Sequence, residues 1–226
     1  MSDANMNRVM EMDDDARFAT FKLDELERGF GDGANTSAWN AQASYGGDFD
    51  KLWLRSEGEH EAGSTEGRIE ALWDHAFAAY WDWQLGVRSD FGSAPHRDVP
   101  SRNWAALGVQ GLAPYWFSVE ATAYLGENGR SAARFRAEYE IMLTQRLVLQ
   151  PELEVNLYGK DDRARAIASG FSQAEFGLRL RYEVRREFAP YIGIVRSYRR
   201  AIDASPFESI PGGGETRYVV GVRIWL

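Results

Sequence analysis

In the stretch Arg134-Phe135-Arg136-Ala137-Glu138-Tyr139-Glu140-Ile141-Met142-Leu143, even positions are charged or polar as far as Met142 and odd positions are apolar. Gln150-Pro151-Glu152-Leu153-Glu154-Val155-Asn156-Leu157 repeats that parity, and Glu175-Phe176-Gly177-Leu178-Arg179-Leu180-Arg181-Tyr182-Glu183-Val184 reverses it. A period of two is the signature of a β-strand with unlike faces. Runs of about nine or ten residues match a tilted strand crossing a bilayer.

Working outward, alternation begins near Phe18 and predicts strands at 17–28, 36–46, 49–58, 65–76, 80–91, 102–112, 115–126, 130–142, 146–159, 172–185, 188–199 and 215–226. The connections are equally informative. Short ones fall at Gly46-Gly47-Asp48, Phe77-Ala78-Ala79, Leu112-Ala113-Pro114, Leu143-Thr144-Gln145 and Arg186-Glu187. Longer ones fall at 29–35, 57–65, 91–101, 160–171 and 200–214, with Gly126-Glu127-Asn128-Gly129 as the short member of that set. Alternation of short and long connections is how outer-membrane barrels separate periplasmic turns from extracellular loops. The reading is an all-β, closed antiparallel transmembrane barrel of about twelve strands over residues 16–226.

A soluble barrel or sandwich is the rival, but it must pack the apolar face inward. Twelve strands enclose more volume than these apolar side chains fill, because diameter grows with strand number. Lipid outside and charge within fits better. Tyr45, Trp73, Tyr80, Trp81, Trp83, Tyr115, Phe117, Tyr191 and Trp225 all fall near the short turns. An interfacial girdle belongs there.

Composition agrees. The chain of 226 residues has 13% aromatics and 22 glycines, more than a helical soluble fold needs. It has no run of apolar residues long enough for a membrane-spanning helix. A net charge of −8 argues against nucleic acid, and the absence of cysteine removes disulfides and thiolate metal sites. The first residues, Met1-Ser2-Asp3-Ala4, show no basic or apolar leader, so an exported chain is expected here in its mature form. Residues 1–15 read as a flexible, methionine-containing segment.

Several motifs carry a family resemblance. The chain end Gly221-Val222-Arg223-Ile224-Trp225-Leu226 resembles the C-terminal assembly signal of outer-membrane barrels, with Leu in place of the usual terminal Phe. Tyr45-Gly46-Gly47-Asp48, Trp81-Asp82-Trp83-Gln84-Leu85-Gly86-Val87-Arg88 and Gly108-Val109-Gln110-Gly111-Leu112-Ala113-Pro114-Tyr115-Trp116-Phe117 resemble the copper resistance protein B family. Asn156-Leu157-Tyr158-Gly159-Lys160-Asp161-Asp162 and Phe188-Ala189-Pro190-Tyr191 do too, and the likeness runs from about residue 18 to the end. It implies an outer-membrane location, a role in copper tolerance, copper as Cu(I) or Cu(II), and a periplasmic copper-binding partner. Many members carry a longer Met- and His-rich N-terminal segment, of which this chain has a remnant.

Met6, Met10 and Met12 offer soft thioethers suited to Cu(I), or are chance methionines in a tail. His60 and His96, in expected extracellular loops, either ligate Cu(II) or are simply solvated. His75 shares parity with Ile69, Ala71 and Trp73 and so points outward. Met142 shares parity with Glu138 and Glu140 and should face inward near the periplasmic mouth, as ligand or as plug.

The strongest constellation is Arg134, Arg136, Glu138, Glu140, Glu152, Glu154, Arg179, Arg181 and Glu183, all on the lumen face. A tight turn at Thr144 sets Arg136 beside Glu154 as a salt bridge. It also sets Glu138 beside Glu152, a like-charge contact that needs a cation, a proton or an arginine from the next strand. The network either fills a narrow barrel or forms a cation path. Catalysis is not expected, since the rim histidines lack a Ser or Asp partner at matched parity. Two functions remain: a barrel that binds or conducts copper, and a poorly conducting barrel that docks a periplasmic partner.

Overall fold

The structure, a computed structural model, describes residues 16–31, 35–95, 98–200, 202 and 214–226. Met6, Met10, Met12 and His96 lie outside them. Thirteen strand segments succeed one another: β1 (Phe18–Gly31), β2 (Thr36–Gly46), β3 (Asp50–Glu61), β4 (Ser64–Ala78), β5 (Trp81–Ser93), β6 (Arg102–Ala113), β7 (Phe117–Gly126), β8 (Arg130–Glu138), β9 (Ile141–Met142), β10 (Leu147–Tyr158), β11 (Gly170–Tyr182), β12 (Phe188–Arg199) and β13 (Glu215–Trp225). Each pairs antiparallel with its neighbours. β13 pairs back onto β1, with Phe21 and Leu226 exchanging backbone hydrogen bonds of 2.9 Å each way. Since β8 and β9 share one position against β10, the sheet is a closed twelve-strand barrel.

The expected strand from 130 to 142 is thus interrupted at Tyr139 and Glu140. Pro151 of β10 stands opposite and has no N–H to give; it only accepts, from Tyr139 N at 3.1 Å. The expected long loop at 57–65 is likewise a two-residue turn. Ala62 and Gly63 both take positive φ (48° and 81°), which matches the twist of a hairpin and lets β3 and β4 stay paired as far as Glu61 and Ser64.

Side chains alternate as the period demands. Leu52, Leu54, Trp83, Leu85, Val87, Leu107, Ile192 and Ile194 face outward and are exposed, while Arg55, Glu70, Gln84, Arg88, Arg134 and Arg179 face inward and are buried. Exposed apolar and buried charged side chains mark a sheet wrapped in lipid. The girdle forms at the short-turn end, where Tyr45, Trp73, Tyr80, Trp83, Tyr115, Phe117 and Trp225 are exposed. Tyr191 does not belong to it. It is buried in the lumen and donates to Glu27 at 3.0 Å, because its parity on β12 is that of Ala189 and Val195.

The longest described outer connection, between β10 and β11, folds over the lumen. Arg165 is buried there and donates to the carbonyls of Pro100 (2.9 Å), in the loop from β5 to β6, and of Phe91 (3.4 Å), near the end of β5. Asp162 pins the flap by accepting from Arg102 at 2.8 Å, with Arg130 at 3.7 Å. Asp161 accepts from the Ser169 backbone N–H at 2.6 Å.

Both carboxyls lie below their usual range. For Asp161 the cause is that backbone hydrogen bond; for Asp162 the upward push of burial is outweighed by the Arg102 hydrogen bond and the two arginine charges. A depressed carboxyl stabilises above its unfolded value and loses its effect as pH falls through the folded one. The flap should therefore hold through neutral pH and loosen only below about pH 4. Asp162→Asn should loosen it at pH 7. Hydrogen exchange over residues 159–169 reads both effects, and unchanged protection in the variant would refute the pinning.

Candidate functional site

Three pieces of local structure aim charge into the lumen. The hairpin from β8 through β10 has the register expected from the sequence, Glu154 facing Arg136 and Glu152 facing Glu138. β11 adds Arg179 and Arg181, facing Gln150 and Val148 of β10. The third piece is a β-bulge in β1 at Asp24, where the register slips against both neighbours. A bulge inserts one residue and re-aims the side chains beyond it. Thr20 and Lys22 share the inner face before it, Glu25 and Glu27 after it, and Asp24 itself turns inward to Arg223 at 3.1 Å.

These side chains close into two rings, each with two arginines and two glutamates in alternation. In the outer ring Arg134 meets Glu57 at 3.0 Å and Glu154 at 2.8 Å, while Arg68 meets Glu154 at 3.4 Å and pairs with Glu57. In the inner ring Arg136 meets Glu152 at 2.8 Å and Glu25 at 3.6 Å, and Arg179 meets Glu152 at 3.0 Å and Glu25 at 3.2 Å. Arg136 and Glu57, 4.0 Å apart, link the two. Each ring is formally neutral and joins opposite walls of the barrel. Alternation is the arrangement that offsets the cost of desolvating so many charges.

The expected Arg136–Glu154 bridge is replaced by diagonal pairs. Arg136 reaches Glu152 and Arg134 takes Glu154, since long side chains reach a diagonal neighbour as readily as a direct one. The like-charge contact of Glu138 with Glu152 is relieved by arginine, one of the three expected means: Arg179 and Arg136 bind Glu152, and Gln150 donates to Glu138 at 3.2 Å. Arg181 binds Glu140 at 2.8 Å and Glu183 at 3.5 Å, and Arg223 also binds Glu140 at 2.9 Å.

The other candidates are not brought to the rings. His60 belongs to β3 rather than to a loop, faces outward, and shares a hydrogen bond of 2.8 Å with Thr65. His75 faces outward beside Asp50, at 3.0 Å. Met142 keeps lumen parity opposite Val148 but stands at the mouth, 76% exposed, so it plugs nothing. Among the described residues no three His, Cys, Asp or Glu side chains are grouped as a metal cage.

Ring members Glu25, Glu57 and Arg68 are additions to the residues singled out from sequence. The adjacent acids in Leu23-Asp24-Glu25-Leu26 break strict alternation, which is what a bulge looks like in a sequence. Glu57 falls in the expected long loop, and recognising Ala62-Gly63 as a tight turn returns it to a strand.

On the outer side the rings floor a vestibule of about 220 Å³. At its rim Glu59 faces Glu66 directly across β3 and β4. Arg217 pairs with Glu59 and lies 3.5 Å from Glu175, while Glu66 and Arg199 line the same space. Across the lumen, Asp74 accepts from Gln84 and Gln110, and Arg55 binds Glu120 at 2.7 Å.

A closed twelve-strand barrel with an apolar belt, an aromatic girdle and a charged lumen is an outer-membrane protein of porin-like architecture. The solved barrels agree: the NanC porin superposes with a TM-score of 0.60 at 13% identity, covering 91% of this chain and 100% of that one. The KdgM porin gives 0.53 at 15% identity, covering 91% and 98%. Within that class, the chain belongs to the copper resistance protein B family, whose model, described as copper resistance protein B precursor, matches residues 17–226. It is 43% identical to copper resistance protein B of Escherichia coli over 207 residues, 90% of this chain and 68% of that protein. It is also 43% identical to the copper resistance protein B homolog of Pseudomonas syringae pv. tomato over 219 residues, 96% and 72% respectively.

Proposed function

We propose that this barrel serves copper resistance by admitting copper ions, as Cu(I) or Cu(II), to its acidic vestibule and passing them along the lumen, without catalysis. Copper is here the cargo. The observation that carries the reading is the rim, where the carboxylates Glu59, Glu66 and Glu175 outnumber the arginines Arg199 and Arg217. Rings of acidic side chains raise the local concentration of cations and favour their entry.

The test is copper entry into proteoliposomes loaded with a copper-sensitive dye. Barrel-dependent entry is expected, reduced several-fold in Glu59→Gln/Glu175→Gln. Entry equal to that of empty liposomes would refute the reading. The neutral rings across the lumen favour a second reading in that event: a barrel that conducts little and anchors a periplasmic copper-binding protein at its short-turn end. Retention of such a partner on barrel-bearing vesicles, and not on empty ones, supports it.

A further inference from the structure

Two cavities meet at the inner ring. The vestibule reaches down to Glu25, Arg136 and Glu152. Beneath lies a pocket of about 10 Å³, walled by Asp24, Glu25, Arg136, Arg179, Arg181 and Arg223 among others. Glu25 and Arg136 line both spaces, so the contact between them is the partition.

The four contacts of this ring are unequal. Arg179 is held by Glu152 at 3.0 Å, Glu25 at 3.2 Å and Glu27 at 3.1 Å, and it is buried. Among the described residues Arg136 is held firmly by Glu152 alone, at 2.8 Å; its reach to Glu25 is 3.6 Å and to Glu57 4.0 Å. The Arg136–Glu25 contact is therefore the weakest in the ring, and it joins β8 to β1 across the barrel. An arginine on a flexible stem can leave one carboxylate while keeping the other.

We propose that Arg136 is the closing residue of the lumen and Glu25 its selectivity residue. When the Arg136 guanidinium withdraws from Glu25 and stays on Glu152, vestibule and lower pocket join. Glu25 then faces the opening with Arg179 as its remaining salt-bridge partner, and the opening prefers cations. The inference rests on the reading of the lumen as an ion path and names where that path is closed.

The test uses potassium chloride and no copper, so its failure is separate from that of the copper reading. Single barrels in planar bilayers are compared under a salt gradient, after heat-modifiable gel mobility has shown that each variant is folded. Wild type should conduct weakly. Arg136→Ala should conduct about tenfold more, with a reversal potential of cation-selective sign. Arg136→Lys, which keeps the charge and loses the fork, should fall between. Glu25→Gln breaks the same contact from the other side and keeps the proposal testable if Arg136→Ala does not fold; its conductance should rise with less preference for cations. Arg28→Gln, on the outer face, should behave as wild type. A folded Arg136→Ala with wild-type conductance, an anion-selective opening, or a freely conducting wild type would overturn the proposal. Conducting Arg136→Ala barrels alongside wild-type copper entry no better than empty liposomes would leave the gate standing and refute only the copper route.

Discussion

The Gly86→Ala variant is expected to be recovered mostly as unfolded chain, migrating identically before and after boiling. Gly86 faces inward between Leu72 and Ala106, and a Cβ there would lie 2.0 Å from the Ala71 carbonyl oxygen and 2.8 Å from the Leu72 Cα. Both are backbone atoms of the adjoining strand, so no side chain can swing aside to make room. Overpacking a core costs about 1–3 kcal/mol where neighbours can shift, and a clash with a hydrogen-bonded strand should exceed that range. Gly47→Ala is the control. Among the described residues its Cβ would meet only the Ala16 carbonyl, at 3.8 Å, and the variant should fold as wild type. Equal folded yields for the two would refute the steric argument.

Arg134→Leu should lower the unfolding free energy of the detergent-folded barrel by about 3 kcal/mol, the lower end of what removing one partner of a buried ion pair costs. The lower end applies because Arg68 remains with both Glu57 and Glu154, and Asn156 also donates to Glu154 at 2.8 Å. The outer ring is left with excess negative charge in a buried place. Removing a carboxylate as well, in Arg134→Leu/Glu57→Gln, restores neutrality and should recover part of the loss. Denaturant titration of the two single variants and the double variant gives the coupling. Additive losses would mean that the ring is not an energetic unit.

Much of this molecule is written in its sequence, and the remainder is absent for physical reasons. Strict alternation locates the strands within a few residues, because a wall with lipid on one side and charge on the other tolerates no slip of register. For the same reason the facing of Glu152 with Glu138 can be derived from the turn at Thr144. The diagonal choice of Arg134 for Glu154 cannot, since it depends on how far two side chains lean across a twisted sheet. The outward aim of His75 follows from parity against charged neighbours, whereas on β12 Tyr191 and Val195 are as apolar as Ile192 and Ile194, so the alternation there does not tell which set faces the lumen. Glu25 escapes because a bulge inverts the parity by which inner and outer faces are told apart. Contacts across the lumen, such as Arg179 with Glu27, join residues far apart in the chain and leave no periodic trace.

The bulge has a consequence for the order in which the protein is made. Glu25 belongs to the first strand, while its partners Arg136 and Arg179 arrive much later, and the cylinder is completed only when the last strand zips onto the first. Until that seam closes, Arg136 and Arg179 have Glu152 as their one shared ring carboxylate and lack Glu25, and a half-built sheet with that imbalance is poorly suited to lipid. Neutralisation and completion of the cylinder coincide. The charges that shut the finished lumen thereby also reward correct closure during insertion, and disfavour a barrel that seals with one strand missing or out of register.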